Sequence, residues 1–118
     1  MSNSHRFAAL ALAAVLLLPG VSSANDLMTV AQAKAYEAKL RSEGQRFKRI
    51  FCTVENGKFM VRASATRMSP FLKDWQWDVA RKLGQRDAQM RKQHYRRDIL
   101  HRTSGASGLL AECAIWIK

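Results

Sequence analysis

Acidic residues are scarce in this chain of 118 residues, which has 9 Asp and Glu against 20 Lys and Arg and a formal net charge of +11. A long apolar run is lacking too, because residues 7–18 fall short of the ~20 that a membrane-spanning helix needs. Internal repeats and long low-complexity tracts are absent, which favours one compact unit over an array. A basic surplus this large favours association with polyanions but does not determine the fold.

Cysteine is nearly absent, and the two that occur, Cys52 and Cys113, lie far apart in the chain. Their spacing disfavours a zinc site and a redox motif, since both chemistries use closely spaced cysteines. The chain also lacks an HExxH motif, a nucleophile elbow and a glycine-rich phosphate loop. The sequence therefore predicts no cofactor and no metal, and it does not favour an enzyme.

The N-terminus has the features of a secretory signal peptide. Arg6 precedes the apolar run, Pro19-Gly20 interrupts it, and small residues follow up to Ala24. The alternative is an uncleaved membrane anchor, which the short apolar run disfavours. No cysteine lies near the cleavage site, which excludes a bacterial lipoprotein. We therefore expect residues 1–24 to be a cleaved signal peptide and residues 25–118 to be a single basic α+β domain, periplasmic or secreted.

Export would place the two cysteines where disulfides persist. A domain of this size lies near the limit at which core burial alone gives only marginal stability. A Cys52–Cys113 bridge would close a loop of about 60 residues and add ~4 kcal/mol in the chain-entropy model. The sequence predicts this disulfide.

Two local signals predict the first half of the domain. Thr29 and Gln32 form a capping-box pattern, so a helix is expected over residues 30–43, packed against something flat because its apolar residues are mostly small. Asn56-Gly57 predicts a hairpin over residues 46–66 with Glu55 opposite Lys58. That register places the apolar side chains on one face, namely Ile50, Cys52, Val54, Phe59, Val61 and Ala63.

The second half of the domain predicts a C-terminal strand and a helical region before it. Residues 109–118 alternate like a strand, which we expect to join the hairpin sheet with Cys113 on its apolar face. Ser69-Pro70 and apolar residues at helical spacing predict a helix over residues 71–83, and residues 86–102 predict a second helix or a bent continuation. The alternative for the first segment is a strand on which Trp75 and Trp77 share a face. Residues 103–108 have the composition of a flexible loop, so the expected order is α-β-β-α(α)-β.

A basic stretch over residues 81–102 is the predicted contact surface. It holds eight cations against Asp87 and Asp98, and arginine binds phosphates or carboxylates with a planar fork. On a helix, Trp77 would be exposed and able to stack on a ligand. The alternatives are an ordinary solvated helix and a Trp77 packed under the first helix. The predicted binding residues are Lys73, Trp77, Arg81, Arg86, Arg96 and Arg97.

A weak catalytic candidate is the row formed by His94, Asp98 and His101. On one helix these residues would share a face, where they could act as general acid and base or bind a metal. Ordinary pairing of residues four apart explains the same spacing.

The expected function is an exported, non-enzymatic accessory protein that binds an acidic macromolecule or an envelope component. Its partner would be an envelope protein, an anionic lipid head group, a wall polymer or nucleic acid. One alternative is a secreted inhibitor, an immunity protein or an assembly protein of a secretion or conjugation machinery, with a specific protein partner. The other is a small secreted nuclease or toxin that uses His94 and His101.

Overall fold

The computed structural model describes residues 26–118, and the predicted signal peptide lies outside them. The described part forms a small compact α+β domain with two three-stranded antiparallel sheets, ordered β1-β3-β2 and β4-β6-β5. Within residues 26–118, neither helix has the length and apolar character needed to cross a membrane. The elements are β1 (Met28–Thr29), α1 (Val30–Ser42), β2 (Gln45–Glu55), β3 (Lys58–Arg67), β4 (Trp75–Ala80), α2 (Gly84–Lys92), β5 (Arg96–Gly105) and β6 (Gly108–Ile117).

Helix α1 begins at the predicted capping box. The Gln32 backbone N–H donates to Thr29 Oγ1 at 3.2 Å, and the Thr29 N–H donates to Gln32 Oε1 at 2.9 Å. The helix buries Ala33, Tyr36 and Leu40. These residues belong to the core that α1 shares with the hairpin, which confirms the prediction that α1 packs against a flat surface.

The hairpin β2–β3 has the predicted register in the part nearest its turn. Glu55 lies opposite Lys58 and Cys52 opposite Val61. The turn between the strands has positive φ at Asn56, 52°, which such two-residue turns require. Cys52 and Val61 are fully buried, so the apolar face is the core face, as the sequence indicated.

The helix predicted over residues 71–83 is wrong, and the alternative strand is right. Strand β4 places Trp75 and Trp77 on the same buried face, where their rings lie 5.1 and 5.4 Å from the ring of Phe47. The strand is favoured because it buries both tryptophans in one core, whereas a helix would turn one of them away. Helix α2 begins at Gly84, where the first predicted helix was expected to end. The second predicted helix is wrong beyond Lys92, because its last part is strand β5.

The C-terminal strand β6 is confirmed, but its expected place in the hairpin sheet is wrong. It lies between β4 and β5 in the second sheet. One face, which includes Cys113 and Ile115, packs on the hairpin and α1, while Ala114 and Trp116 on the other face pack with residues of α2. Both faces are therefore buried, and the domain has three layers. The expected loop over residues 103–108 is the end of β5, a tight turn and the start of β6.

The Cys52–Cys113 disulfide is confirmed and connects the two sheets, with the Cα atoms 6.0 Å apart. Cys52 comes from β2 and Cys113 from β6, and these strands do not pair with each other. The disulfide thus joins the two sheets covalently, rather than two strands of the same sheet.

Candidate functional site

The two sheets meet where edge strand β2 runs beside edge strand β5. Side chains rather than a backbone ladder connect them. Thr103 Oγ1 donates to the Cys52 carbonyl at 2.6 Å, and the Cys52 N–H donates to His101 Nδ1 at 3.3 Å. Both backbone groups of Cys52 are therefore satisfied by β5, which places His101 at the junction of the sheets.

A groove of about 390 Å³ lies at this junction. The hairpin register builds one wall of it, because Arg49 lies opposite Ser64 and Phe51 lies opposite Arg62 on the outer face. His101, Ile99 and Leu100 of β5 line the other side. The groove therefore combines two arginines with aromatic and aliphatic surface.

The groove carries the positive charges of Arg49 and Arg62. In the part of the chain that the structure describes, neither Arg49 nor Arg62 forms a salt bridge with a carboxylate. The Arg62 guanidinium carbon lies 5.1 Å from the centroid of the Phe51 ring, and that ring lies 4.6 Å from the His101 ring. Ser64 Oγ is buried and has no hydrogen-bond partner within residues 26–118. Among the described residues, the two guanidinium groups are thus without a carboxylate partner, whereas the Ser64 hydroxyl is closed off from the groove.

His101 contributes a neutral ring to this groove. Its Nδ1 accepts the Cys52 N–H, which assigns the proton of the neutral ring to Nε2. Burial lowers the pKa of His101, because the charged form would lose hydration. At neutral pH the charge of the groove therefore comes from the two arginines.

The predicted basic surface does not form a single cationic face. Arg86 Nε lies 3.6 Å from Asp78 Oδ2, and Arg97 Nη1 lies 3.7 Å from Asp87 Oδ2. Arg96 is exposed at the start of β5. The structure places Arg86 in α2 and Arg97 in β5, each beside a carboxylate that compensates its charge.

Asp87 and Glu112 are two buried carboxylates that line a second cavity of about 510 Å³. The sequence did not indicate that these two residues lie in one site. Trp116 Nε1 donates to Asp87 at 2.8 Å and holds the pKa of this carboxyl below its usual range. Burial raises the pKa of Glu112, but hydrogen bonds from the Leu83 N–H and from Arg102, both 2.7 Å, outweigh it and lower the pKa. Both carboxylates are ionised and fasten α2 and β5 to β6.

These two groups predict that stability falls on acidification. Their pKa values are lower in the folded protein than in the unfolded chain, so the unfolded chain binds protons first as the pH falls below about 4. The free energy of unfolding should then decrease by about 1.4 kcal/mol for each unit by which a pKa is lowered. Urea unfolding at a series of pH values measures this loss.

The variant Asp87→Asn should show a shallower loss of stability with acid than the unaltered chain. Glu55→Gln, at an exposed position beside the hairpin turn, is the matched control and should keep the full slope. A stability that stays constant down to about pH 2.5 would show that the buried carboxylates do not act as described.

The other predicted binding residues lie outside the groove. Trp77 is buried beneath α1, and its Nε1 donates to Glu37 Oε1 at 2.6 Å, so it is not exposed for stacking on a ligand. Lys73 is exposed in the connection before β4. Arg81 is exposed after β4, and its Nε donates to the Leu109 carbonyl at 3.4 Å.

The structure does not bring the row of His94, Asp98 and His101 together. That row required a helix, but His101 lies in β5, where the five residues from Arg96 rise roughly 16 Å. His94 is exposed in the turn before β5 with φ of 70°, and Asp98 pairs with Arg46 at 3.7 Å. His101 packs at the sheet junction, so the three side chains do not share the helix face on which the prediction depended.

No protein-family model, no curated protein and no solved structure matches this chain. The alternation of Arg49, Phe51, Arg62 and Ser64 on the polar face of the hairpin was visible in the sequence. The sequence did not show that β5 lies beside that face.

Proposed function

We propose that this chain is an exported accessory domain that binds, without catalysis, a partner bearing phosphate or carboxylate groups, and that it does so in the groove of Arg49 and Arg62. The observation that carries the proposal is the pair of guanidinium groups lining one groove without a carboxylate partner among residues 26–118. Arginine binds such oxygens with two parallel hydrogen bonds. By contrast, Arg86 and Arg97 already have carboxylate neighbours.

The surroundings of the two arginines favour a ligand with several acceptor oxygens. His101, which carries its proton on Nε2, lines the same groove and adds one hydrogen-bond donor to those of the two arginines. Ile99 and Leu100 add apolar surface, which lowers the local dielectric and strengthens hydrogen bonds made there. A phosphate or carboxylate in this groove would accept hydrogen bonds from the guanidinium groups and from His101 Nε2.

Export is proposed from the N-terminal pattern of Arg6, an apolar run and small residues up to Ala24. The Cys52–Cys113 disulfide is compatible with an oxidising compartment. In such a compartment, the anionic partner would be an envelope component or an acidic protein.

Removing the two groove charges should weaken binding strongly. In the variant Arg49→Gln/Arg62→Gln, the affinity for a fluorescently labelled polyphosphate should fall at least about tenfold, because hydrogen bonds to charged groups contribute about 1.5–3 kcal/mol each. Fluorescence anisotropy at about 0.15 M salt measures the loss while screening diffuse attraction.

The matched control is Lys92→Gln/Arg96→Gln, which removes the same charge from exposed positions outside the groove. Its affinity should change only slightly. If both double variants weaken binding equally, the attraction is diffuse and the groove is not the site. If only the control weakens binding, the contact surface lies on α2 and the start of β5.

A further inference from the structure

Three side chains that bind soft metals meet behind the groove. His101 lies directly opposite Cys113 on the paired strands β5 and β6, and Cys52 reaches them from β2. His101 Nδ1 lies 3.7 Å from Cys52 Sγ and 3.9 Å from Cys113 Sγ. Both cysteines are fully buried, so the cluster is closed to solvent on the sulfur side.

These sulfur–nitrogen distances match those in a metal site, although ordinary packing gives similar values. A metal ion bound to sulfur at about 2.3 Å and to imidazole nitrogen at about 2.1 Å separates these two atoms by about 3.6 to 3.8 Å. Both separations in the structure lie within about 0.3 Å of that range. Once the disulfide is reduced, the main movement required is the separation of the two sulfur atoms.

The histidine nitrogen in the cluster is a suitable ligand atom. Nδ1 accepts the Cys52 N–H, so it carries a lone pair on the side of the cysteines. At 3.3 Å this hydrogen bond is long, and a metal–nitrogen bond would replace it. The large sequence separation of Cys52 and Cys113 argues against a metal site, but the fold places this histidine beside both cysteines as a third ligand.

We propose that the reduced form of this domain binds one Cu(I) ion through Cys52, Cys113 and His101. Thiolates favour Cu(I) and zinc among the biological metals, but structural zinc sites take four ligands. Within residues 26–118 the cluster offers three ligating side chains, and both cysteines among them are fully buried. A three-coordinate soft site therefore favours Cu(I).

Formation of the site has two chemical steps. A dithiol reductant transfers two electrons and two protons to the disulfide, which yields two thiols while the reductant becomes a disulfide. Cu(I) then bonds to both sulfurs and to Nδ1, both thiol protons pass to solvent, and the copper keeps its oxidation state. The oxidised domain has no thiolate to offer, so the same cysteines either connect the sheets covalently or bind metal.

Competition for Cu(I) tests the proposal. The full chain is reduced with dithiothreitol, freed of it under argon and titrated with Cu(I) in the presence of a chromophoric Cu(I) chelator. The reduced chain should withdraw one Cu(I) from the chelator and the oxidised chain none. His101→Asn keeps an acceptor for the Cys52 N–H but supplies no imidazole, so its affinity should fall at least about tenfold.

Circular dichroism on the same samples separates binding from folding. A reduced chain that is folded, or that folds when Cu(I) is added, supports the proposal. It is overturned if the reduced chain stays unfolded with Cu(I), if it fails to compete with the chelator, or if His101→Asn binds as tightly as the unaltered chain. A parallel titration in which Zn(II) binds more tightly than Cu(I) would also overturn it. Cys52→Ala/Cys113→Ala, which lacks both thiolates, is the negative control.

Discussion

Replacing Cys52 and Cys113 with alanine is expected to lower the free energy of unfolding by about 4 kcal/mol. The bridge spans a sequence separation of 61, so its loss releases a long loop in the unfolded chain. It also joins β2 to β6, which belong to different sheets. For a domain whose core is small, this is a large fraction of the total stability.

Urea unfolding followed by tryptophan fluorescence measures this effect, because all three tryptophans lie in the described core or its second cluster. The unaltered chain, reduced and kept metal-free with a chelator, is the matched comparison and should unfold close to the double variant. A double variant within about 1 kcal/mol of the oxidised chain would show that the two sheets are held together mainly by packing.

The second large effect is expected at Phe47. This side chain is fully buried, and its ring lies 5.8 Å from Tyr36, 5.1 Å from Trp75 and 5.4 Å from Trp77. It therefore connects α1, the hairpin and β4. Phe47→Ala should lower the free energy of unfolding by about 3–5 kcal/mol, because it removes this contact surface and leaves a cavity.

Phe51→Ala is the matched control, since it removes the same atoms from the neighbouring groove face. Phe51 is only half-buried, so its replacement should cost about 1–2 kcal/mol, less than that of Phe47. Thermal unfolding of both variants gives the comparison. Equal losses would mean that Phe47 is not the centre of the core.

The parts of the fold that were predicted correctly have strong local signals. Thr29 and Gln32 define the start of α1 through their own hydrogen bonds. Asn56 and Gly57 select the turn, and alternation then determines the register that buries Cys52. In each case the interaction that determines the local structure joins residues close in sequence, or it follows from the alternation of side chains along a strand.

The failures arose where distant residues decide the local structure. Trp75 and Trp77 belong to a strand because Phe47 provides their common core. Helix α2 has no side-chain cap at its start, where the Leu83 N–H donates to Glu112, 29 residues later in the chain. Neither contact can be recognised from the residues that are close to it in the sequence.

The candidate site was only half predictable for the same reason. The hairpin register placed Arg49, Phe51 and Arg62 together on the polar face. Strand β5 closes the groove, but its sequence is polar and lacks apolar alternation, as is common for an edge strand. The clustering of cations in the sequence favoured residues 81–102 as the contact surface instead. A count of cations does not show which of their charges lie beside a carboxylate in the folded protein.

A nuclear magnetic resonance titration of the isotopically labelled chain with short polyphosphate tests the anion-binding groove most directly. We expect saturable shifts at the backbone amides of Arg49, Phe51, Arg62 and His101, with small changes elsewhere. Shifts centred on Gly84–Lys92, or shifts that grow without saturation over all exposed cations, would contradict the proposal that this groove binds the anionic partner.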